Sequence, residues 1–245
     1  MKKKTTIAFI IFTIALLSEV FSQTGENYSV NGNNFRITAN GSYLIPIGAL
    51  SDRLKPTIGF SLGFGQRTGE NWEWIGKFEY FKFSKVNEEN LYIKRKITTN
   101  MVENEYTIPI SKLIMDLEVA GISANANVKL FSSEYLISNL SFGFGIYNWR
   151  STRGEYYDSL FVTDSNGNAV FAEYLNVPEL VQMDWSGGLS FGINSDIRVF
   201  GPLWLTLGAN YKIIIAELWA TLKLDIENVS GLQMGEVYSG FKFQF

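Results

Sequence analysis

From Phe35 onward, large apolar residues alternate with small or polar ones in eight separate segments, and a period of two predicts β-strands. Segment 35–48 sets Phe35, Ile37, Ala39, Tyr43, Ile45 and Ile47 against Arg36, Thr38, Asn40 and Ser42. Segment 57–66 sets Ile58, Phe60, Leu62 and Phe64 against Gly59, Ser61, Gly63 and Gly65. Segments 72–85, 117–131, 136–149, 185–194, 203–213 and 237–245 repeat the pattern.

Alternation alone does not say which face is inside. The polar face is rich in glycine and poor in long charged side chains, although glycine weakens a strand and charge keeps soluble sheets apart. Trp72, Trp74, Tyr147, Trp149, Trp185 and Trp204 lie near segment ends, where the interfacial girdles of a membrane barrel are expected. The connections 67–71, 132–135 and 195–202 are short, while 87–116, 150–181 and 216–233 are long. Short turns at one end and long loops at the other predict an antiparallel up-and-down transmembrane barrel of eight strands, with the bulky face outward. Two segments leave alternatives open. Segment 156–175 reads as a hairpin turning at Asn166-Gly167, an extracellular extension that as barrel wall would raise the count to ten strands. Segment 218–226 alternates with inverted parity, which predicts either a bulge in a prolonged strand or a short helix.

The N-terminus adds a destination. Lys2, Lys3 and Lys4 precede an apolar run at 7–17, too short to span a membrane, and Val20 and Ser22 are small residues suited to cleavage before Gln23. The expected division is a signal peptide at 1–22, a periplasmic segment at 23–34 and a barrel at 35–245. Composition narrows the chemistry. With 15% aromatic residues, 18% charged and a net charge of −3, the chain is neither disordered nor a nucleic-acid binder. It has no Cys and no His, which removes disulfides, thiol nucleophiles and the commonest general base.

The first hairpin, GSYLIPIGALSDRLKPTIGFSLGFG at 41–65, and the ending GFKFQF make the chain similar to the small outer-membrane β-barrel superfamily of the OmpA/OmpX type. The resemblance implies that Phe241, Phe243 and Phe245 form a C-terminal signal read by the barrel-assembly machinery. It implies no activity, because this architecture hosts enzymes, adhesins, plugs and pores. Enzymes of similar shape use a catalytic His, so no enzyme is expected, and no cofactor.

The remaining candidates are charges. Arg36, Lys77, Lys129, Lys212 and Lys242 share the predicted inner face with Glu73, Glu79, Asp184 and Glu236. An eight-stranded barrel is filled by its own side chains, so these residues predict an ion-pair network that closes the lumen, with Lys77, Glu79, Lys129 and Lys212 at its centre. Inner glycines such as Gly59, Gly143, Gly188 and Gly208 count the other way, since they open space. Asp164, Asn166 and Asn168 begin like a calcium loop, but Ala169 and Leu175 stand where the pattern needs Gly and Glu, so a plain turn is expected and no metal site. Lys94, Arg95 and Lys96 suit either anionic lipopolysaccharide or, more commonly for such a run, plain solvent, and Tyr156, Tyr157 and Phe161 suit either an adhesive surface or stiffening of the loop.

The reading is an integral outer-membrane barrel, a monomer among outer-membrane lipid and lipopolysaccharide, acting structurally or through its extracellular loops. A narrow channel for small solutes or ions is the alternative, and a secreted lipocalin-like barrel a further one.

Overall fold

The computed structural model describes residues 35–68, 70–99, 102–163, 167 and 169–244. The proposed signal, the periplasmic segment, the turn residues Asp164, Asn166 and Asn168, and Phe245 lie outside them. In chain order the strands are β1 (Phe35–Pro46), β2 (Thr57–Thr68), β3 (Trp72–Phe83), β4 (Tyr92–Thr99), β5 (Val102–Pro109) and β6 (Met115–Ser132). They continue with β7 (Leu136–Arg153), β8 (Tyr156–Thr163), β9 (Ala169–Val177), β10 (Leu180–Phe200), β11 (Leu203–Leu218) and β12 (Val229–Gln244). A helical turn α1 (Ala49–Arg53) and a 3₁₀ turn η1 (Leu222–Leu224) lie in the first and last long loops.

Eight of these strands close a barrel in the order β1-β12-β11-β10-β7-β6-β3-β2, every neighbouring pair antiparallel. Closure pairs every wall strand on both sides along the lower barrel, the condition for a sheet in an apolar medium, and only above Gly188↔Ile214 do β10 and β11 separate. The hairpins β4-β5 and β8-β9 are separate two-stranded sheets, so the ten-strand alternative is excluded. The other ambiguous segment contains both expected features. Register shifts between Ile214 and Glu217 on β11, and η1 follows in the loop.

The outer face is apolar over a continuous band. On β1 it runs from Phe35 to Ile45, ten residues apart, which at about 3.3 Å per residue and a tilt near 40° spans roughly 25 Å. Aromatic pairs tie neighbouring strands on this face, among them Phe142–Phe191 (centroids 5.1 Å apart) and Phe60–Tyr80 (5.5 Å). The band ends at the row Tyr80, Ala120, Asn148 and Trp185, matched across β3, β6, β7 and β10. Above it the outer face turns polar on β3, β6 and β7, while Met183 and Val181 keep it apolar on β10. Tyr80 donates to Glu118 (2.8 Å), and Lys82 pairs with Asp116 (3.2 Å).

The same row marks a change inside. Below it the lumen is polar; above it Leu44, Phe81, Phe83, Leu117, Val119, Trp149, Ile214, Leu218, Leu232 and Met234 point inward and form one core with loop residues Leu50, Leu54, Leu91, Ile93, Ile110 and Leu224. The apolar side chains therefore change parity partway along β1, β3, β6, β7, β11 and β12. The girdle expectation is corrected accordingly. Trp72, Trp74 and Trp185 are exposed on the outer wall, but Tyr147, Trp149 and Trp204 are buried inside.

Inner glycines make room for these rings. Tyr147 on β7 lies between Gly121 on β6 and Gly188 on β10; a Cβ on Gly188 would stand 2.7 Å from the Tyr147 ring, and one on Gly121 would collide with it directly. Gly208 does the same for Tyr238. The space is taken by a neighbour, not left open. Gly121→Val is expected to lower the urea stability of the refolded barrel by about 1–3 kcal/mol, the usual consequence of overpacking. Gly187→Val, where a Cβ meets nothing within 4 Å, should leave the urea midpoint unchanged.

Candidate functional site

The lower lumen holds a connected cluster of charges contributed by strands on opposite sides. Glu79 sits on β3 and Lys212 on β11, four strands apart whichever way the barrel is traversed. Lys212 Nζ nonetheless lies 2.9 Å from Glu79 Oε1 and 3.6 Å from Glu236 Oε2, so the pair spans the full width of the lumen. The other Glu79 oxygen accepts from the Tyr147 hydroxyl (2.7 Å) and from Ser123 Oγ (3.4 Å). Asn210 donates to Glu236 (3.1 Å). Lys77 extends over the Tyr238 ring, 5.5 Å from its centroid.

A second knot lies nearer the turn end. Lys242 Nζ is 2.7 Å from Asp196 Oδ2 and 3.0 Å from Glu73 Oε2. Arg36 Nε stands 3.4 Å from the other Glu73 oxygen. Thr206 donates to Asp196 (2.7 Å) and Asn127 to Glu73 (2.9 Å). Asn139 bonds Asn194 across β7 and β10 (2.8 Å). Four cations and four carboxylates thus share the lumen, each carboxylate within 4 Å of at least one cation. Buried charge is costly unless it is paired and its remaining lone pairs are hydrogen-bonded, and the Asn, Ser and Thr side chains supply those bonds; Lys77 forms no ion pair within 4 Å among the described residues and rests on the Tyr238 ring.

The structure brings together Arg36, Glu73, Lys77, Glu79, Lys212, Glu236 and Lys242. It does not bring in Asp184, which is exposed on β10 and accepts from the Trp185 amide (2.7 Å). Nor does it bring in Lys129, half-exposed at the turn-end mouth. Asp196 takes the place expected of Asp184. It lies two residues beyond Asn194 with the same parity, so extending the alternation of that segment by one step would have found it. Phe241 and Phe243 are exposed on the outer wall of β12.

At the loop end the long connections are bound to one another. Arg95 on β4 contacts Glu173 on β9 (2.6 Å), Asp225 beside η1 (3.1 Å) and the Lys223 carbonyl (2.8 Å). Lys223 Nζ reaches the Asn176 carbonyl (3.1 Å). Arg53 of α1 donates to the carbonyls of Trp219 and Glu227, and the Asn87 amide to the Arg53 carbonyl (2.9 Å). Arg95, suited by sequence to lipopolysaccharide or to solvent, is the clasp of this cap. Tyr156, suited to an adhesive surface or to stiffening the loop, is buried; its hydroxyl donates to Asp158 (3.0 Å), and burial with that bond pushes its pKa up to about 12. Tyr157 and Phe161 are exposed, joined on one side of the hairpin by Phe171 and Tyr174, whose rings stand 4.5 Å apart.

Lys212→Met leaves Glu79 and Glu236 without their shared cation and is expected to destabilise the refolded barrel by about 3–5 kcal/mol in urea. Adding Glu79→Gln, which keeps an acceptor for Tyr147, should recover more than half of that loss.

No family model matches the sequence, and no curated protein matches it either. Solved structures do. A major outer membrane protein from Thermus thermophilus superposes with a TM-score of 0.50 at 9% identity, covering 88% of this chain and 100% of that one. Neisserial surface protein A gives a TM-score of 0.45 at 14% identity, with 88% and 100% covered. OprG from Pseudomonas aeruginosa gives 0.45 at 8% identity, with 87% and 96% covered. Identities this low speak to architecture alone, and the architecture is clear: the chain has the fold of the small eight-stranded outer-membrane β-barrels.

Proposed function

We propose that the chain is exported by its N-terminal segment, resides in the bacterial outer membrane among lipid and lipopolysaccharide, and acts as a non-conducting barrel that presents a rigid extracellular cap for surface interactions. The observation that carries this reading is the filled interior. Ion pairs cross the lower lumen, an apolar core of loop and strand residues occupies the upper one, and the long loops are bound together above it. A solute path would have to break both layers. Catalysis is not part of the proposal, since the charges of the lumen are engaged with one another and enclosed.

The surface on offer is the aromatic side of the β8-β9 hairpin, with Tyr157, Phe161, Phe171 and Tyr174 exposed in one patch. Exposed aromatics provide contact area at low conformational cost and are favoured anchors of binding surfaces. By its resemblance to the superfamily, the chain would engage the barrel-assembly machinery through Phe241, Phe243 and Phe245.

Reconstituted in planar bilayers, the purified protein is expected to give no steady conductance. Large, stable, ion-selective single-channel currents would replace this reading with that of a channel.

The interaction role is read separately. Proteoliposomes carrying Tyr157→Ser, Phe161→Ser and Tyr174→Ser together are expected to lose most of the retention on a hydrophobic surface that wild-type proteoliposomes show, with heat-modifiable migration unchanged. Equal retention would remove the hairpin from the proposal.

A further inference from the structure

Two arginines at the loop end have no acidic partner. Arg53 projects from α1 and Arg153 from the end of β7, and both line one recess of about 310 Å³, counting its open side. Its other walls are Met115, Ser151, Leu180, Gln182, Trp219, Thr221 and Ile226, with no carboxylate among them. Elsewhere on the cap, Arg95 and Lys55 are each paired with acids. Among the described residues, neither Arg53 nor Arg153 lies within 4 Å of one.

Their hydrogen bonding differs in a telling way. Arg53 is engaged by the Trp219 and Glu227 carbonyls. Arg153 uses one nitrogen, Nη2, on the Pro178 carbonyl (2.7 Å). Its Nε and Nη1 are buried and meet no acceptor among the described residues. A guanidinium offers five N–H donors and no acceptor, and a buried donor left unmet is costly. Burial and the nearby Arg153 also pull the Arg53 pKa down to about 10. The protein therefore holds two like charges together in a partly desolvated place that its own groups do not neutralise.

The wall provides a way in. β10 stays paired with β7 as far as Leu180↔Arg153, and β11 with β12 as far as Leu218↔Val229. Between β10 and β11, however, pairing ends at Gly188↔Ile214. Above that rung the two strands part, linked by the Gln182 side chain, which accepts from the Trp219 amide (3.0 Å) and donates to the Glu217 carbonyl (3.4 Å). Leu180 and Gln182 on one side and Trp219 and Thr221 on the other frame the recess, with the arginines behind them. Arg153 lies five residues past Asn148, the upper margin of the apolar band, or about 16 Å along the strand.

We infer that the recess between Arg53 and Arg153 binds a phosphate-class oxyanion, carried either on a lipid-linked headgroup or free in solution. Arg153 keeps N–H groups at Nε and Nη1 for the oxygens of an anion, and a guanidinium recognises phosphate through several such charge-assisted bonds. Two cations without a carboxylate match a dianion better than a single carboxylate. The Ser151 and Thr221 hydroxyls add donors of the kind a phosphate accepts. The inference goes beyond the surface role proposed above and stands on different residues.

The test uses the full-length barrel in an uncharged detergent at fixed ionic strength, with chloride exchanged for inorganic phosphate in one arm. A second arm adds purified lipopolysaccharide, intact or stripped of its phosphates by phosphatase. Wild-type protein should gain thermal midpoint in at least one arm, and Arg153→Gln should bind that same ligand about tenfold or more weakly. Arg153→Gln should also raise the midpoint in anion-free buffer, because it removes an uncompensated charge. If Arg153→Gln fails to assemble, Arg153→Lys, which keeps the charge without the guanidinium's Nε and Nη donors, should show the same weakened binding. Lys96→Gln, at an exposed lysine on β4, should respond as wild type does. A shift with inorganic phosphate identifies a free-anion site, and a shift only with phosphorylated lipopolysaccharide identifies a headgroup site. The inference is overturned if neither ligand shifts the wild-type protein, or if the shift survives unchanged in the arginine variants.

Discussion

A lysine enclosed in a narrow barrel has to find its counter-charge among the inward side chains of other strands, because the wall beside it is a hydrogen-bonded backbone already committed to its neighbours. Lys212 meets that requirement with Glu79 on the far strand and Glu236 on the adjacent one. The rest of the lower interior is arranged around the same need. Tyr147 turns its hydroxyl to the second Glu79 oxygen, and its ring fits only because Gly121 and Gly188 flank it. Lys242 repeats the arrangement nearer the turns with Asp196 and Glu73. An acid without its base, or a base without its acid, would leave a bare charge where water has little room to solvate it.

Tyr147 also stands at the level where the interior changes character. Below it, apolar side chains point out and polar ones in. Above it, the loops fold back over the opening, and the driving force reverses: Leu117, Val119, Trp149, Ile214 and Leu232 gain more by packing against Leu50, Ile93 and Leu224 than by facing a polar exterior. Each wall strand thus takes part in two different burial problems along its length, one against lipid and one against its own loops. The clasp of Arg95 with Glu173 and Asp225 holds the cap in the position that makes the second problem soluble. At the Arg53 and Arg153 recess, where β10 and β11 part, this mutual satisfaction stops.

The amino-acid sequence by itself determined eight alternating strands, their antiparallel order, the face each turns to the lower lumen and the end at which the long loops lie, while the exclusion of the 156–175 hairpin from the wall came from the structure. These follow from local physics: period-two alternation, turn residues and connection length are read a few residues at a time. The inward charges other than Asp184 and Lys129 were legible for the same reason, since parity alone assigns a face. Tertiary structure decided which charge meets which. Glu79 and Lys212 are 133 residues apart, and nothing short of barrel closure puts them opposite each other. It also decided that Tyr147, Trp149 and Trp204 lie inside, because a tryptophan near a strand end looks the same in sequence whether lipid or a folded loop covers it. The inverted parity around Leu218 was visible, but its meaning, an apolar core under a cap, depends on loops returning to the barrel from far along the chain. Burial is a property of what packs on a surface, and for this upper half the covering residues come from four separate connections.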